Sequence, residues 1–398
     1  MAQNDNSVSR RNVLKGVGAS VATAGVATSL AAAAPTDKVE VNVGFASERG
    51  RQTALSQANE TVRTFDSIDV LTLRLPKQAA TALEKNPNIR YVEENGTMEA
   101  LAQTLPWGQQ RIDSDVVHSN GELGAGADVA ILDTGIDDDH PDLTDHLGKG
   151  KAFVTCNTQG GCRYGAKPAD NTCNYSWTDD NNHGTHCAGI AAGDDNSQGV
   201  VGAAPDATLH AVKVLDKCGS GSFSDIAAGV EYVADQGWDV ASMSLGASSG
   251  SSALHDAIQY ATNNGVFVVA AAGNSGPCSD CVGYPAAYSE VMAVSSTASD
   301  DTLSDFSSTG PEVDIAAPGT DIYSSVANGG YDTYSGTSMA TPHVAGVAGQ
   351  LAANGTTGSD IRSTLANSAE DIGLASNESG SGLLDAAAAL GYDSSDDT

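Results

Sequence analysis

Apolar residues recur in short runs along most of the chain, and the pattern changes once. Residues 39–45 and 68–75 alternate apolar and polar positions, the period of a half-buried strand. Helical spacing follows each of them, over 50–64 and 76–86, and residues 89–94 read as a last strand. This β-α-β-α-β order over residues 37–100 predicts a small α+β unit. From Gln103 onward, short continuous apolar runs alternate with helical stretches. Strands are predicted at 129–132, 209–215, 240–244, 266–271, 291–295 and 313–316, and helices at 224–235, 252–264, 338–353 and 361–368. Such alternation predicts a doubly wound α/β domain: a mainly parallel sheet, right-handed crossovers and helices on both faces. Sites in such folds lie at the carboxyl ends of the strands. No internal repeat is visible.

Both ends depart from these patterns. Residues 9–15, Ser-Arg-Arg-Asn-Val-Leu-Lys, resemble a twin-arginine export signal, except that Val13 stands where Phe is usual. The Ala-rich run 17–34 then reads as the apolar core and small-residue cleavage site of a signal peptide over 1–34. A membrane anchor is the alternative, but the run is barely long and apolar enough to span. No Cys precedes Cys156, which excludes a lipid-modified N-terminal Cys. Residues 393–398 form a tail too acidic and polar to pack.

Charge sharpens the division. The chain has 19 Lys+Arg and 50 Asp+Glu, a net −31. Residues 1–102 hold 11 of each sign, so residues 103–398 carry 8 basic against 39 acidic residues. That surface excludes nucleic acid and anionic lipid as partners. Near absence of Lys favours adaptation to very high salt, where screening suppresses self-repulsion, over a merely acidic soluble enzyme. Seven Cys, an odd number, leave at least one thiol unpaired in an exported protein. Cys278 and Cys281 read as a short structural disulfide, since no matching pair exists to complete a zinc site.

Three segments carry candidate chemistry. Asp133-Thr134-Gly135 ends a buried apolar strand, where a carboxylate is costly unless paired. On local sequence alone it could be a turn or cap residue. His183-Gly184-Thr185-His186-Cys187 opens a small-residue helix. Metal ligation by His183, His186 and Cys187 lacks the spacing of known zinc motifs, and His186 reads as a core residue. Gly336-Thr337-Ser338-Met339-Ala340-Thr341-Pro342-His343 places a Ser at a helix N-terminus, with Pro342 in the first turn. Ser338 could simply cap that helix. Taken together, a hydroxyl, a base to take its proton and a carboxylate to fix the base form a nucleophilic triad. The chain order Asp, His, Ser is that of subtilisin.

These three segments resemble the signature segments of the subtilisin-like serine proteases, and the likeness spans roughly residues 103–390. It implies a secreted serine endopeptidase acting on proteins and peptides, with Asp133, His183 and Ser338 as triad and no cofactor for catalysis. Charge and signal fit the halolysins; those usually carry a further C-terminal domain, so the chain is expected to be a shorter relative. Ala271-Ala272-Gly273-Asn274 resembles the oxyanion segment, with Asn274 as side-chain donor. Ser244-Leu245-Gly246 and Gly273 resemble the walls of the pocket for the side chain before the scissile bond. Gly219-Ser220-Gly221 resembles the edge segment that pairs with substrate backbone, and Phe223 a more distant apolar pocket. For these glycines, ordinary loop chemistry is the alternative. Gln103, Asp142 and Asn196 match positions that hold structural calcium in many relatives, although the 194–199 loop could equally be a solvated acidic loop.

Residues 37–100 resemble the family's propeptide, an inhibitor and folding assistant, with cleavage expected near 100–103. A permanent regulatory domain is the alternative. The mature part, 103–392, is expected to be a monomer with no membrane partner. One departure stands out: a Cys-containing insert over 144–180 is longer than in the commonest members. Cys187 resembles a buried free thiol of proteinase K-like members. Three rivals remain. Asp133, His183, Ser338 and Asn274, all intact, argue against a binding protein on an inactive scaffold. An esterase would need Gly-x-Ser-x-Gly around Ser338. A nucleotide-binding protein would need a Walker or Gly-x-Gly-x-x-Gly loop, and neither is found.

Overall fold

A computed structural model describes residues 38–65, 67–95, 103–162, 169 and 171–394. The export segment 1–34, most of the expected cleavage junction and the last four residues of the tail lie outside the described residues. The chain divides into two units, Met1–Ala100 and Leu101–Thr398.

The first unit runs β1 (Lys38–Phe45), α1 (Glu48–Gln57), β2 (Glu60–Thr64), β3 (Val70–Pro76), α2 (Lys77–Leu83), β4 (Ile89–Glu94). Its antiparallel sheet has the order β2-β3-β1-β4. The helix expected over 50–64 is therefore wrong in its second half. It stops at Gln57, and Glu60–Thr64 pairs with β3. All five residues of β2 are exposed, so no alternation of burial marks it. Thr61, Val62 and Thr64 are β-branched and suit a ladder better than a helix. Val43, Leu71, Leu73 and Leu75 fill the core.

In the second unit, α3 (Trp107–Arg111) and α4 (Ser114–Ser119) lead into β5 (Asp128–Asp133), β6 (Lys151–Ala152), α5 (His183–Ala192) and β7 (Thr208–Lys213). Then follow α6 (Phe223–Gln236), β8 (Val240–Met243), α7 (Ser252–Asn263), β9 (Phe267–Ala271), β10 (Met292–Thr297) and β11 (Ile315–Pro318). A hairpin, β12 (Ile322–Val326) and β13 (Gly330–Tyr334), precedes α8 (Thr337–Ala353) and α9 (Gly358–Ser368). The seven-stranded sheet has the order β11-β10-β9-β8-β5-β7-β6, and every neighbouring pair is parallel. This is the doubly wound architecture expected. The chain starts at β5, runs out to β6 at the sheet edge, returns to β7 between them, then crosses to β8 on the other side of β5. The crevice of such a reversal opens at the carboxyl ends of β5, β7 and β8.

Alternate residues of one strand face opposite layers. Ile131 joins the core under α5 and α8, and Leu132 the core under α6 and α7. The insert between β5 and α5 is closed by Cys156–Cys173 and joined to the β7–α6 segment by Cys162–Cys218. Cys278 and Cys281 pair, as expected, and Cys187 is the buried free thiol.

Candidate active site

Asp133 is the last residue of β5 and fully buried. Its Oδ1 accepts from the Thr134 N–H at 2.7 Å and lies 2.8 Å from His183 Nδ1. His183 opens α5. Burial of the ring disfavours its charged form, but the Asp133 carboxylate outweighs this and holds the pKa above its ordinary 6.5. The nearby His186 and His343 rings are different: burial pushes each down to about 4. Of these three rings, only His183 has its charged form favoured over that of an ordinary imidazole. His186 is the core residue expected, its Nε2–H shared between the Ile322 and Asp332 carbonyls.

Ser338 is the second residue of α8. Pro342 stands one turn into that helix rather than in its first turn. Having no N–H, it leaves the Ser338 carbonyl without its helical donor. Two other groups take that carbonyl: the Ser244 hydroxyl at 2.7 Å and the Cys187 thiol at 3.4 Å. The Ser338 hydroxyl in turn donates to the Ser244 carbonyl at 3.3 Å. Burial raises the Cys187 pKa well above the usual thiol range, so it stays protonated and unreactive. Ligand atoms of Asp133, His183 and Cys187 lie within 4.8 Å of one another, the one cluster of metal-ligating type among the described residues. The imidazole–carboxylate bond and the protonated thiol already account for these groups, and His186 is not part of the cluster.

Asn274 follows β9 with its Oδ1 held by the Thr337 N–H at 2.9 Å and the Thr337 hydroxyl at 3.0 Å. A Cβ on Gly336 would lie 3.4 Å from Asn274 Nδ2 and 3.7 Å from the Ser338 N. Two donors thus border one small space that glycine keeps open. Two adjoining depressions share Ser244, Leu245, Gly246 and Ala247. One, about 620 Å³, is lined by His183, Gly219, Ser220, Gly221 and Phe223. The other, about 590 Å³, is lined by Gly273, Asn274 and Ser338. All the residues singled out for catalysis or substrate binding, save the fully buried Asp133, therefore line this paired cleft.

Two residues were missed. Asp179 is fully buried four residues before His183. Its Oδ1 accepts from the Thr134 hydroxyl and the Asn181 and Asn182 N–H groups, and its Oδ2 from the Thr185 N–H and hydroxyl. One carboxylate thus joins the turn after Asp133 to the first turn of the His183 helix, where an anion is also favoured by the helix dipole. Lys213, the last residue of β7, is also fully buried. Its ammonium donates to the Thr134 carbonyl at 2.6 Å, Asp180 Oδ1 at 2.6 Å and the Leu215 carbonyl at 2.9 Å, which satisfies all three protons. A buried ion pair needs such completeness to be tolerated. In sequence, nothing beside Asp179 or Asp180 sets them apart from the many other acidic residues; the cue for Lys213 is a Lys inside an apolar strand.

Gln103, Asp142 and Asn196 come together around the 194–200 loop. Gln103 bridges the Asp194 carbonyl and the Ser197 N–H, while Asn196 donates to the Pro141 carbonyl. Asp142 Oδ2 accepts from the Val200 N–H at 2.7 Å, but its Oδ1 is buried without a partner.

Comparison with known proteins agrees with this geometry. A model of the subtilase family matches residues 124–386, and one of the fervidolysin N-terminal prodomain matches residues 25–95. The chain is 42% identical to M-protease of Shouchella clausii over 332 residues, 83% of this chain and 81% of that protein. It is 42% identical to alkaline elastase YaB of a Bacillus species, covering 82% and 80%. To subtilisin E of Bacillus subtilis it is 39% identical, covering 82% of each. The chain therefore belongs to the subtilase family and is a subtilisin-like serine endopeptidase preceded by a propeptide.

Proposed function

We propose that Ser338 is the nucleophile, His183 its general base and acid, and Asp133 the group that orients His183. The observation that carries this is the 2.8 Å pair between the buried Asp133 and the half-buried His183, beside the cleft that Ser338 lines. With Nδ1–H held by Asp133, the neutral ring keeps the Nε2 lone pair for the Ser338 proton. The alkoxide attacks the peptide carbonyl, and the developing oxyanion is bound by Asn274 Nδ2 and the Ser338 N–H. Asp133 stabilises the imidazolium, which protonates the leaving amine; water then hydrolyses the acyl-enzyme by the same route in reverse. Gly219–Gly221 and Ser244–Gly246 flank an extended substrate strand. Gly273 borders the pocket for the side chain before the scissile bond, and Phe223 a more distant one.

The finer reading is a secreted, salt-adapted, halolysin-like monomer, exported by the twin-arginine route and matured by its own activity, with the propeptide as inhibitor. The twin arginines and the 8-to-39 charge imbalance after residue 102 support it. At about 0.01 M salt the Debye length is near 30 Å, so repulsion acts across the whole domain; at about 1 M it is near 3 Å. A calcium ion held by Gln103, Asp142 and Asn196 would fit, because it would neutralise the orphaned buried carboxylate oxygen of Asp142. Its contribution would be structural.

A fluorophosphonate should label Ser338 alone, and Ser338→Ala should accumulate unprocessed precursor in a protease-deficient host. Labelling elsewhere, or normal processing in that variant, refutes the assignment. Circular dichroism during dialysis from molar to millimolar salt, with and without calcium, tests the salt and calcium readings; a native spectrum at low salt without calcium refutes both.

A further inference from the structure

The insert has contacts on two sides. Toward the turn that carries His183, the Asn157 N–H donates to Asp180 Oδ2 at 2.7 Å and Asn171 Nδ2 to the Asp179 carbonyl at 2.9 Å. Toward the β7–α6 segment, Cys162 is bonded to Cys218, and the Lys217 ammonium donates to the Gln159 carbonyl. The Lys217 carbonyl accepts from Asn181 Nδ2 at 2.9 Å, so insert, His183 turn and β7–α6 segment meet at Lys217 and Cys218.

Cys218 immediately precedes Gly219-Ser220-Gly221. Residues 218–224 are all exposed, so packing holds this stretch little. Gly219 has φ +71°, a left-handed conformation, and a Cβ on Gly221 would lie 2.2 Å from the Val214 carbonyl oxygen. Glycine is thus required at both places, and neither supplies a side chain to anchor the segment. Its internal bonds are a turn in which Asp216 Oδ1 accepts the Cys218 and Ser220 N–H groups. Among the described residues, the disulfide is the one cross-link that ties this stretch to another part of the chain.

We propose that the Cys162–Cys218 disulfide is a specificity-determining staple: it holds the exposed Gly219–Gly221 edge in place to pair with extended peptides, and contributes nothing to substrates too short to reach it. This rests on the reading of the cleft as the substrate site. Strand addition gains its affinity from main-chain hydrogen bonds, and a preformed edge spares the cost of ordering it on binding.

The test compares the mature enzyme carrying Cys162→Ser and Cys218→Ser with one carrying Cys156→Ser and Cys173→Ser, whose disulfide lies within the insert. Each is assayed on succinyl-Ala-Ala-Pro-Phe p-nitroanilide and on N-acetyltyrosine ethyl ester. Loss of the 162–218 bond should raise KM for the tetrapeptide about three- to tenfold, the equivalent of roughly one main-chain hydrogen bond, with little change in kcat. Ester hydrolysis should stay level, and the 156–173 variant should match the parent on both substrates. Equal change on both substrates, the same shift from the 156–173 variant, or no shift at all overturns the proposal. If the 162–218 variant fails to fold, Lys217→Ala should give the same substrate-length dependence more weakly, and its absence counts against the staple. Fluorophosphonate labelling of the parent separates the two readings: unlabelled Ser338 refutes the catalytic assignment, whereas labelled Ser338 with no length dependence refutes the staple alone.

Discussion

The two helical layers of the peptidase domain are built on different principles. In α6 and α7, four of 14 and three of 12 residues are buried, the single apolar stripe of an ordinary surface helix. In α5 and α8, nine of ten and 14 of 17 are buried, so almost every position is enclosed. Those two helices carry His183 and Ser338 at their N-termini. They approach each other through small residues: a Cβ on Gly346 would lie 2.4 Å from the Ala191 carbonyl oxygen. Enclosure on all sides leaves little freedom to shift, which a reaction sensitive to an ångström requires. A helix that only covers the sheet needs no such constraint.

The contrast between the two layers sets the size of the effect expected at each position. Asp133→Asn should lower kcat by about 10⁴-fold, because the ring loses its fixed tautomer and its imidazolium partner. The same change bears on pH. His183 is held above 6.5, so its charged-pair stabilisation is present below that value and lost as pH rises through the folded pKa. Activity needs the neutral ring and should rise over the same interval, with the acid limb of kcat/KM above 6.5 in the parent and lower in Asp133→Asn. Gly346→Val should destabilise by about 3 kcal/mol or more, since its neighbour is backbone and cannot yield; thermal melting with inhibitor present reads this. Pro342→Ala restores an N–H that competes with Ser244 for the Ser338 carbonyl, and should lower kcat about three- to tenfold with little effect on melting. Glu231→Gln, on the exposed side of α6, should change stability by less than about 0.5 kcal/mol. An effect there as large as at Gly346 would show that the two layers do not differ as described.

Six of the seven parallel strands were legible because each is a short apolar run buried on both faces, whereas β6, two residues with an exposed Lys151, gave no such run. Asp133, His183 and Ser338 were legible because each sits in a glycine-flanked setting at an element's end. What escaped lacked such local signals. Strand β2 is exposed throughout, and the β12–β13 hairpin includes Ser324, Ser325, Asp332 and Thr333 in a stretch without clean alternation. Asp179 and Lys213 escaped for another reason. Their importance comes from Thr134, which lies 45 and 79 positions away from them along the chain, and nothing adjacent to either residue announces that partner.

The place of α8 in the chain bears on synthesis. It packs against β8, β9, β10 and β11, all of which are made before it. A nascent chain that has not yet reached Thr337 therefore has these strands complete but one of their faces uncovered. Such a chain also lacks Ser338, so with Ser338 as the proposed nucleophile this interval is one in which it cannot cut its neighbours. Translation proceeds at roughly 5–20 residues per second, which makes that interval a matter of seconds between β8 and α8. On the proposed assignment, hydrolytic competence and burial of the sheet arrive with the same helix.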